Sequence, residues 1–228
     1  MATLFISDLH LDDARPQITR QFARLLATEA RAADALYILG DLFESWIGDD
    51  DDAPLAAHVA DNLRALHDAG VPVYFMHGNR DFLLGEDYAR RAGMVLLPDP
   101  TIVDLNGERI LLMHGDTLCS DDVEYQKFRT LVRNPEWQQA FLAKPLAERR
   151  AFAAVARGES GRHTAMKAAE IMDVNPLAVL AALRTHGVRK LIHGHTHRPA
   201  THRLDLDGAT AERIVLGDWY EQSSALWE

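Results

Sequence analysis

The sequence predicts an α/β fold that carries a helical insertion, and three observations predict it. Short apolar runs alternate with helix-like stretches through the first half of the chain. Clusters of Asp, Asn and His follow five of those runs. The spacing between the clusters expands once, in a segment where the β-type runs disappear.

TLFIS (3–7), ALYILG (35–40) and VPVYFMHG (71–78) read as buried strands. Between them, Phe22, Leu25 and Leu26, then Val59, Leu63 and Leu66, fall at helical spacing. Strand, helix and strand at this pitch imply parallel βαβ units. MVLLP (94–98), TIVDL (101–105) and RILLMHG (109–115) follow with short turns, which implies that antiparallel pairing begins there. KLIHGH (190–195) reads as a strand, and the last stretch as a hairpin around Asp207-Gly208.

Residues 122–187 differ. Their helix formers, with Pro135, Pro145 and Pro176 near helix starts, predict several short helices. Residues 122–170 hold nine Lys+Arg against six Asp+Glu, in a chain whose net charge is −10. That net charge argues against broad nucleic-acid binding. Cys119 is the one cysteine, which excludes an intrachain disulfide and a multi-cysteine metal site. The opening MATLFISDLHLDD has neither a basic region nor a long apolar run, so no signal peptide is expected. No run approaches the roughly 18 apolar residues needed to span a bilayer; the single cysteine makes a cytoplasmic setting the expectation.

The chemistry-bearing clusters are Asp8-x-His10, Gly40-Asp41-x-x-Glu44, Gly78-Asn79-Arg80-Asp81, His114-Gly115-Asp116 and His193-Gly194-His195-Thr196-His197. In open α/β sheets ligands bind beyond the carboxyl ends of strands, so five clusters at five strand ends point to one place. The intervals Asp8–Asp41, Asp41–Asn79 and Asn79–His114 are 33, 38 and 35 residues, and His114–His195 is 81. Each of the first three fits one strand–helix–strand excursion. The excess in the last locates a helical cap inserted between two core strands. The expected division is a core of 1–120 and 188–228, with an insertion at 121–187 of which about 122–170 is the cap. Mixed oxygen and nitrogen ligands suit Mn²⁺, Fe or Zn²⁺ better than an all-oxygen Mg²⁺ or Ca²⁺ site. Two such ions need a shared anionic ligand.

With these motifs, which run from residue 8 to residue 197, the chain resembles the calcineurin-like metallophosphoesterases. The resemblance implies a fold of mixed β-sheets sandwiched by helices, and two divalent ions, with Mn²⁺ the expected identity. It implies that Asp8, His10, Asp41 and His197 hold one ion and that Asp41, Asn79, His114 and His195 hold the other. Asp41, Asn79, Arg80 and His195 take the catalytic roles. Most members have a histidine where this chain has Arg80. A histidine can protonate a leaving group; Arg80 supplies only a fixed positive charge, which suits cleavage of a P–O–P bond. The longer segments LFISDLHL, GDLFESWIGDDD, MHGNRDFLLG, LMHGDTLC and HGHTHRP, with the inserted helices, are similar to the branch of that family that hydrolyses UDP-2,3-diacylglucosamine in the lipid A pathway. That branch implies water attack on the UMP phosphorus, UMP and 2,3-diacylglucosamine 1-phosphate as products, and peripheral attachment to the cytoplasmic face of the inner membrane. It also implies substrate contacts at Asn79, Arg80, Asp122, Ser160, Thr164, Lys167 and His195. No nucleic acid and no obligate protein partner is expected. The alternative is another nucleotide-diphosphate pyrophosphatase or phosphodiesterase on the same scaffold.

Read by spacing alone, Ser160, Thr164 and Lys167 form one polar stripe of a helix, extended by Arg157, or else an ordinary solvated face. Trp137, Phe141, Leu142, Leu146, Phe152 and Val155 line an acyl groove or pack the cap's own helices. His58, His67, His186 and His202 read as surface residues. His77 and His193 stand beside the motifs, in supporting roles. Asp49–Asp52 reads as a solvated loop.

Overall fold

The computed structural model describes residues 2–166, 173–220 and 224–228, with the helix path alone over 159–166. Among the described residues, ten strands form two five-stranded sheets, ordered β10-β1-β2-β3-β4 and β5-β6-β7-β9-β8. The first contains β1 (Thr3–Ile6), β2 (Ala35–Leu39), β3 (Val73–Met76), β4 (Met94–Leu97) and β10 (Leu226–Trp227). The second contains β5 (Thr101–Leu105), β6 (Glu108–Met113), β7 (Lys190–His193), β8 (Ala200–Leu206) and β9 (Ala209–Val215).

The two-residue period of a strand sorts the side chains into layers. Leu4, Ile6, Leu36, Ile38, Val73 and Phe75 join the core packed with α1 (Pro16–Ala27), α2 (Pro54–Asp68) and α3 (Glu86–Ala92). Their alternates Phe5, Tyr37, Leu39 and Met76 meet Ile110, Leu112, Ile192 and Ile214 of the second sheet. Tyr37 stacks on Phe5 and on Tyr74, with ring centroids 5.1 and 4.7 Å apart. On the far side, Leu111 and Leu191 pack with Val179 and Leu183 of α7 (Pro176–His186). The result is helices, sheet, sheet, helix, with the two sheets face to face.

The turns follow their residues. Pro16, Pro54, Pro135 and Pro176 open helices at their first turn. Asp207 and Gly208, at φ 57° and 79°, make the two-residue turn of the β8–β9 hairpin. One expected pairing is corrected. β4 adds parallel to β3, so it closes the first sheet; antiparallel pairing starts one strand later, between β5 and β6. The short connection at residues 98–100 is not a hairpin, because the chain uses it to pass from one sheet to the other.

Between β6 and β7 the chain forms α4 (Val123–Val132), α5 (Pro135–Leu142), α6 (Leu146–Met166) and then α7. α7 covers the second sheet, as the crossover helix of a parallel β6–β7 pair must. The other three bear on the site, and α6 runs as one helix through Gly158 and Gly161.

Residues 49–52 form a loop that is solvated at Asp50 and Asp52, but its carboxylates are bound to partners rather than free. Asp49 accepts from Gly85 N, Tyr88 N and Trp46 Nε1 at 2.8, 2.9 and 3.1 Å, and so holds the start of α3. Asp50 pairs with Arg149 of α6 at 2.5 Å, and Asp51 and Asp52 pair with Arg150. Arg149, 2% exposed, also donates to the carbonyls of Ile47 and Lys144. A run of four acidic residues gives no periodicity by which its distant partners can be seen. Among the other histidines, His58 and His67 are exposed, whereas His186 and His202 are half-buried. His77 binds the Leu84 carbonyl at 2.6 Å.

Arg149→Met should lower stability by about 2 kcal/mol in urea titration, because buried carbonyls lose a charged donor. Asp50→Asn should cost less, since that carboxylate is 61% exposed.

Candidate active site

The five clusters stand at the carboxyl ends of β1, β2, β3, β6 and β7, and the backbone ties their turns together. Asp8 N donates to Gly40 O at 3.1 Å and His10 N to Asp41 O at 2.9 Å. Gly194 N donates to His114 O at 2.9 Å, joining the two turns of the second sheet. Asp8, His10, Asp41, His195 and His197 all have positive φ, between 49° and 69°. A left-handed conformation at a residue other than glycine costs about 1–2 kcal/mol, and five such residues at one place mark a functional arrangement. Close approach demands glycine twice. A Cβ at Gly78 would overlap Asp41 Oδ1, and one at Gly194 would overlap Asp8 Oδ2.

The seven side chains expected as ligands form two touching groups. In the first, Asp8 Oδ1 lies 3.3 Å from His197 Nε2, which faces His10 Nε2 at 3.1 Å. In the second, Asn79 Oδ1 lies 3.0 Å from His114 Nε2 and 2.9 Å from His195 Nδ1. Asp41 stands between them, with Oδ2 3.7 Å from His10 Nε2 and Oδ1 3.9 Å from His114 Nε2. Asp8, Asp41 and His114 also have ligand atoms within 4.8 Å of one another.

These residues fit a pair of divalent cations. Asp8 Oδ1 is buried and accepts no hydrogen bond among the described residues. Two imidazole nitrogens and a carboxylate oxygen that converge on one point are the donor types that a divalent cation takes. The charges of the cluster shift one another's titration. Burial favours neutral His114, but Asp41, Asp116 and Asp8 outweigh it and lift the imidazole to about 9. Burial also opposes the Asp8 charge, yet His197, His114 and His10 hold the carboxyl far below its usual range. His195 moves the other way, down to about 4, through burial and the neighbouring His114. Glu44, whose burial is outweighed by His10, Arg80 and Arg15, falls to about 2.

Asp81 is not placed as a ligand. Its Oδ1 accepts from Gly78 N at 2.8 Å and its Oδ2 from Leu42 N at 2.7 Å, so it fastens the Asn79 turn to the Asp41 turn. Burial and Asp41 push its carboxyl up to about 6. Asp116 plays a comparable part towards the insertion: it accepts from Tyr125 Oη at 2.6 Å and from Arg129 Nε at 2.7 Å, both on α4. Arg133 of the same helix end donates to Gly78 O at 2.8 Å. His193 is buried beside the site, and its Nδ1 lies 2.8 Å from Gly194 O.

A cavity of about 610 Å³ opens beside Asn79, Arg80 and Glu44 and runs under the insertion. Asp122 and Arg157 also line it, with Phe82, Phe128, Trp137, Phe141, Phe152 and Val155. Trp137, Phe141 and Phe152 pack the cap, as one of their two expected roles requires, and they also face the cavity. Their ring centroids lie 5.0–5.9 Å apart. Asp122 caps α4 by accepting from Tyr125 N at 3.1 Å. Arg157 lies 3.3 Å from Asp12 and 4.0 Å from Glu44, so it bridges α6 to the rim of the metal site. Ser160 and Thr164 fall on the path of α6, where side chains are outside the described residues, and Lys167 lies outside them altogether.

Sequence reading did not single out Asp81's tie between turns, or Asp218. Asp218 Oδ2 lies 3.1 Å from His197 Nδ1, and no motif spacing leads to it.

Asp81→Ala should destabilise the protein by about 3 kcal/mol in chemical denaturation, because it strands buried backbone donors. Asp81→Asn, which can accept at one position only, should cost less.

Comparison with known proteins agrees with the geometry. The family model described as calcineurin-like phosphoesterase matches residues 1–199. The chain is 58% identical over 233 residues to UDP-2,3-diacylglucosamine hydrolase of Stenotrophomonas maltophilia (strain K279a), a match covering 99% of this chain and 94% of that protein. It is 58% identical over 233 residues to the protein of that name from Xanthomonas oryzae pv. oryzae (strain PXO99A), with the same coverage. It is 57% identical over 226 residues to that of Aeromonas hydrophila subsp. hydrophila, again over 99% of this chain and 94% of the relative. The converging ligand turns are thus those of a known lineage: the chain belongs to the calcineurin-like phosphoesterases and, within them, to the family of UDP-2,3-diacylglucosamine hydrolases.

Proposed function

We propose that this chain hydrolyses the pyrophosphate bond of UDP-2,3-diacylglucosamine in lipid A biosynthesis, by water attack on the UMP phosphorus, releasing UMP and 2,3-diacylglucosamine 1-phosphate. The observation that carries the reading is the continuity of two unlike surfaces. A two-cation ligand set opens at Asn79, with Arg80 beside it, onto a cavity lined by aromatic and aliphatic side chains. A diphosphate joined to a sugar with acyl chains has that same division. The cavity also falls within the range of about 300–1,000 Å³ usual for small-molecule sites.

Asp8, His10, Asp41 and His197 would hold one divalent ion and Asp41, Asn79, His114 and His195 the other. Bound there, the ions would supply a water acidic enough to attack at neutral pH, and positive charge for the phosphoryl oxygens. Their mixed nitrogen and oxygen set suits Mn²⁺, Fe or Zn²⁺, and the family resemblance makes Mn²⁺ the proposed identity. The protein's own part is placement. Arg80 N donates to Asp41 Oδ1 at 2.8 Å, which fixes the shared carboxylate. The Arg80 side chain lines the cavity at its polar end, where a guanidinium offers fixed charge to a phosphate. A departing phosphate needs that charge more than a proton, and Arg80 cannot give one. Asp122 and Arg157 also line the cavity, and Ser160, Thr164 and Lys167 would extend these contacts along the insertion.

The substrate's acyl chains call for a membrane setting, and we assign the enzyme to the cytoplasmic face of the inner membrane as a peripheral protein. No helix among the described residues is long and apolar enough to cross a membrane. The basic excess of 122–170 supports attachment less than its count implies, because Arg129, Arg149 and Arg150 are taken up by acidic residues of the core. Exposed Phe128, Leu131, Phe152 and Val155, 42–62% accessible around the cavity mouth, support it better.

Protein loaded with Mn²⁺ should release UMP from UDP-2,3-diacylglucosamine, and His114→Ala should remove most of that release with the fold retained by circular dichroism. Equal turnover of nucleotide diphosphates without acyl chains would favour a general pyrophosphatase instead. In vesicle pelleting, Leu131→Ser with Val155→Ser should weaken association more than Lys127→Gln with Lys144→Gln; the opposite order would return the attachment to charge.

A further inference from the structure

The imidazoles of the site are held from behind in two ways. His114 Nδ1 lies 2.8 Å from the Leu39 carbonyl, a neutral backbone acceptor. His197 Nδ1 lies 3.1 Å from a carboxylate oxygen of Asp218, from a different part of the chain. Its Nε2 faces Asp8 Oδ1 at 3.3 Å and His10 Nε2 at 3.1 Å. The ring of His197 is thus strung between Asp218 and the first ligand group.

Asp218 is itself well anchored. It follows β9, just past whose end Leu216 N donates to His193 O at 2.8 Å. Trp219 beside it is fully buried and meets Phe22 edge-on, with ring centroids 6.2 Å apart. Tyr220 then lies over His10 at 5.6 Å and against His197 at 5.8 Å, with the Arg15 guanidinium 4.5 Å from its ring centre. One short segment past the last ligand motif therefore touches both imidazoles of the first group, and among the described residues it makes no hydrogen bond, ion pair or ring contact with His114 or His195.

A carboxylate at Nδ1 keeps the proton on that nitrogen, turns the Nε2 lone pair toward the ion, and makes the imidazole a stronger donor. We propose that Asp218 is a positioning residue: it holds His197 in the Nδ1–H tautomer with Nε2 aimed at the Asp8–His10 group, so that the divalent cation held there depends on Asp218 and the other does not. This rests on the reading of the site as a two-cation centre.

The test is a Mn²⁺ titration of the full chain, stripped by chelator, followed by calorimetry and by the electron paramagnetic resonance of free Mn²⁺. Asp218→Asn, which keeps the shape and loses the charge, should weaken one class of site about 10–100-fold and leave the other as in the unaltered protein. Asp218→Glu should recover part of the loss. In ¹⁵N-histidine spectra, His197 should pass from one tautomer to a mixture in Asp218→Asn. Unchanged affinity at both classes, or an equal loss at both, would overturn the proposal. Failure of the unaltered protein to bind two ions would overturn the two-cation reading itself, and the proposal with it.

Discussion

The molecule is organised around an electrostatic demand. Asp8, Asp41 and Asp81 are buried within one cluster of turns. Burying like charges together is costly unless each finds donors or a counter-charge. Asp81 finds backbone N–H groups, Asp41 finds one at Arg80, and Asp8 finds Ser7 and His195. Asp8 Oδ1 has no such donor among the described residues. The left-handed backbone at five ligands and the close approach at Gly78 and Gly194 are the conformational terms of meeting that demand. Parallel strands serve it well, because their carboxyl ends lie at one edge and deliver successive turns to a common point.

The site was more legible in the sequence than the scaffold around it. Local pattern identified five clusters at strand ends, four of them with glycine, and the family resemblance drew Asp8, His10, Asp41, Asn79, His114, His195 and His197 from them; the structure brings all seven together. The long His114–His195 interval likewise located the extra helices. What could not be read depends on partners far apart in the chain. Asp50 meets Arg149 and Asp218 meets His197, pairs that no helical or strand period links. β4 misleads because a short connection is the same signal whether the chain reverses within a sheet or changes sheets. α7 reads like its neighbours in the insertion, and only its packing on Leu111 and Leu191 separates it from them.

The docking of the insertion explains its composition. Arg129, Arg149, Arg150 and Arg157 meet Asp116, Asp50, Asp51 and Asp12, so a basic segment lies on an acidic core. Exposed pairs of this kind contribute little each, but Arg149 and Arg129 are substantially buried and also fix direction. α4 touches the turn after His114 through Asp116 and the turn before Asn79 through Arg133. The walls of the cavity and two of the ligands therefore share a frame.

The face-to-face sheets have a mechanical consequence. β1, β2 and β3 lead into Asp8, His10, Asp41 and Asn79, whereas β6 and β7 lead into His114, His195 and His197. Each ligand group thus draws from both sheets, and cations held there would resist any sliding of one sheet over the other. The layer of Phe5, Tyr37, Met76, Ile110, Leu112 and Ile192 sets the spacing across which the two halves meet. Free energy of cation binding becomes free energy of sheet alignment, and packing faults deep between the sheets would surface as a loosened grip on metal at an edge they do not touch.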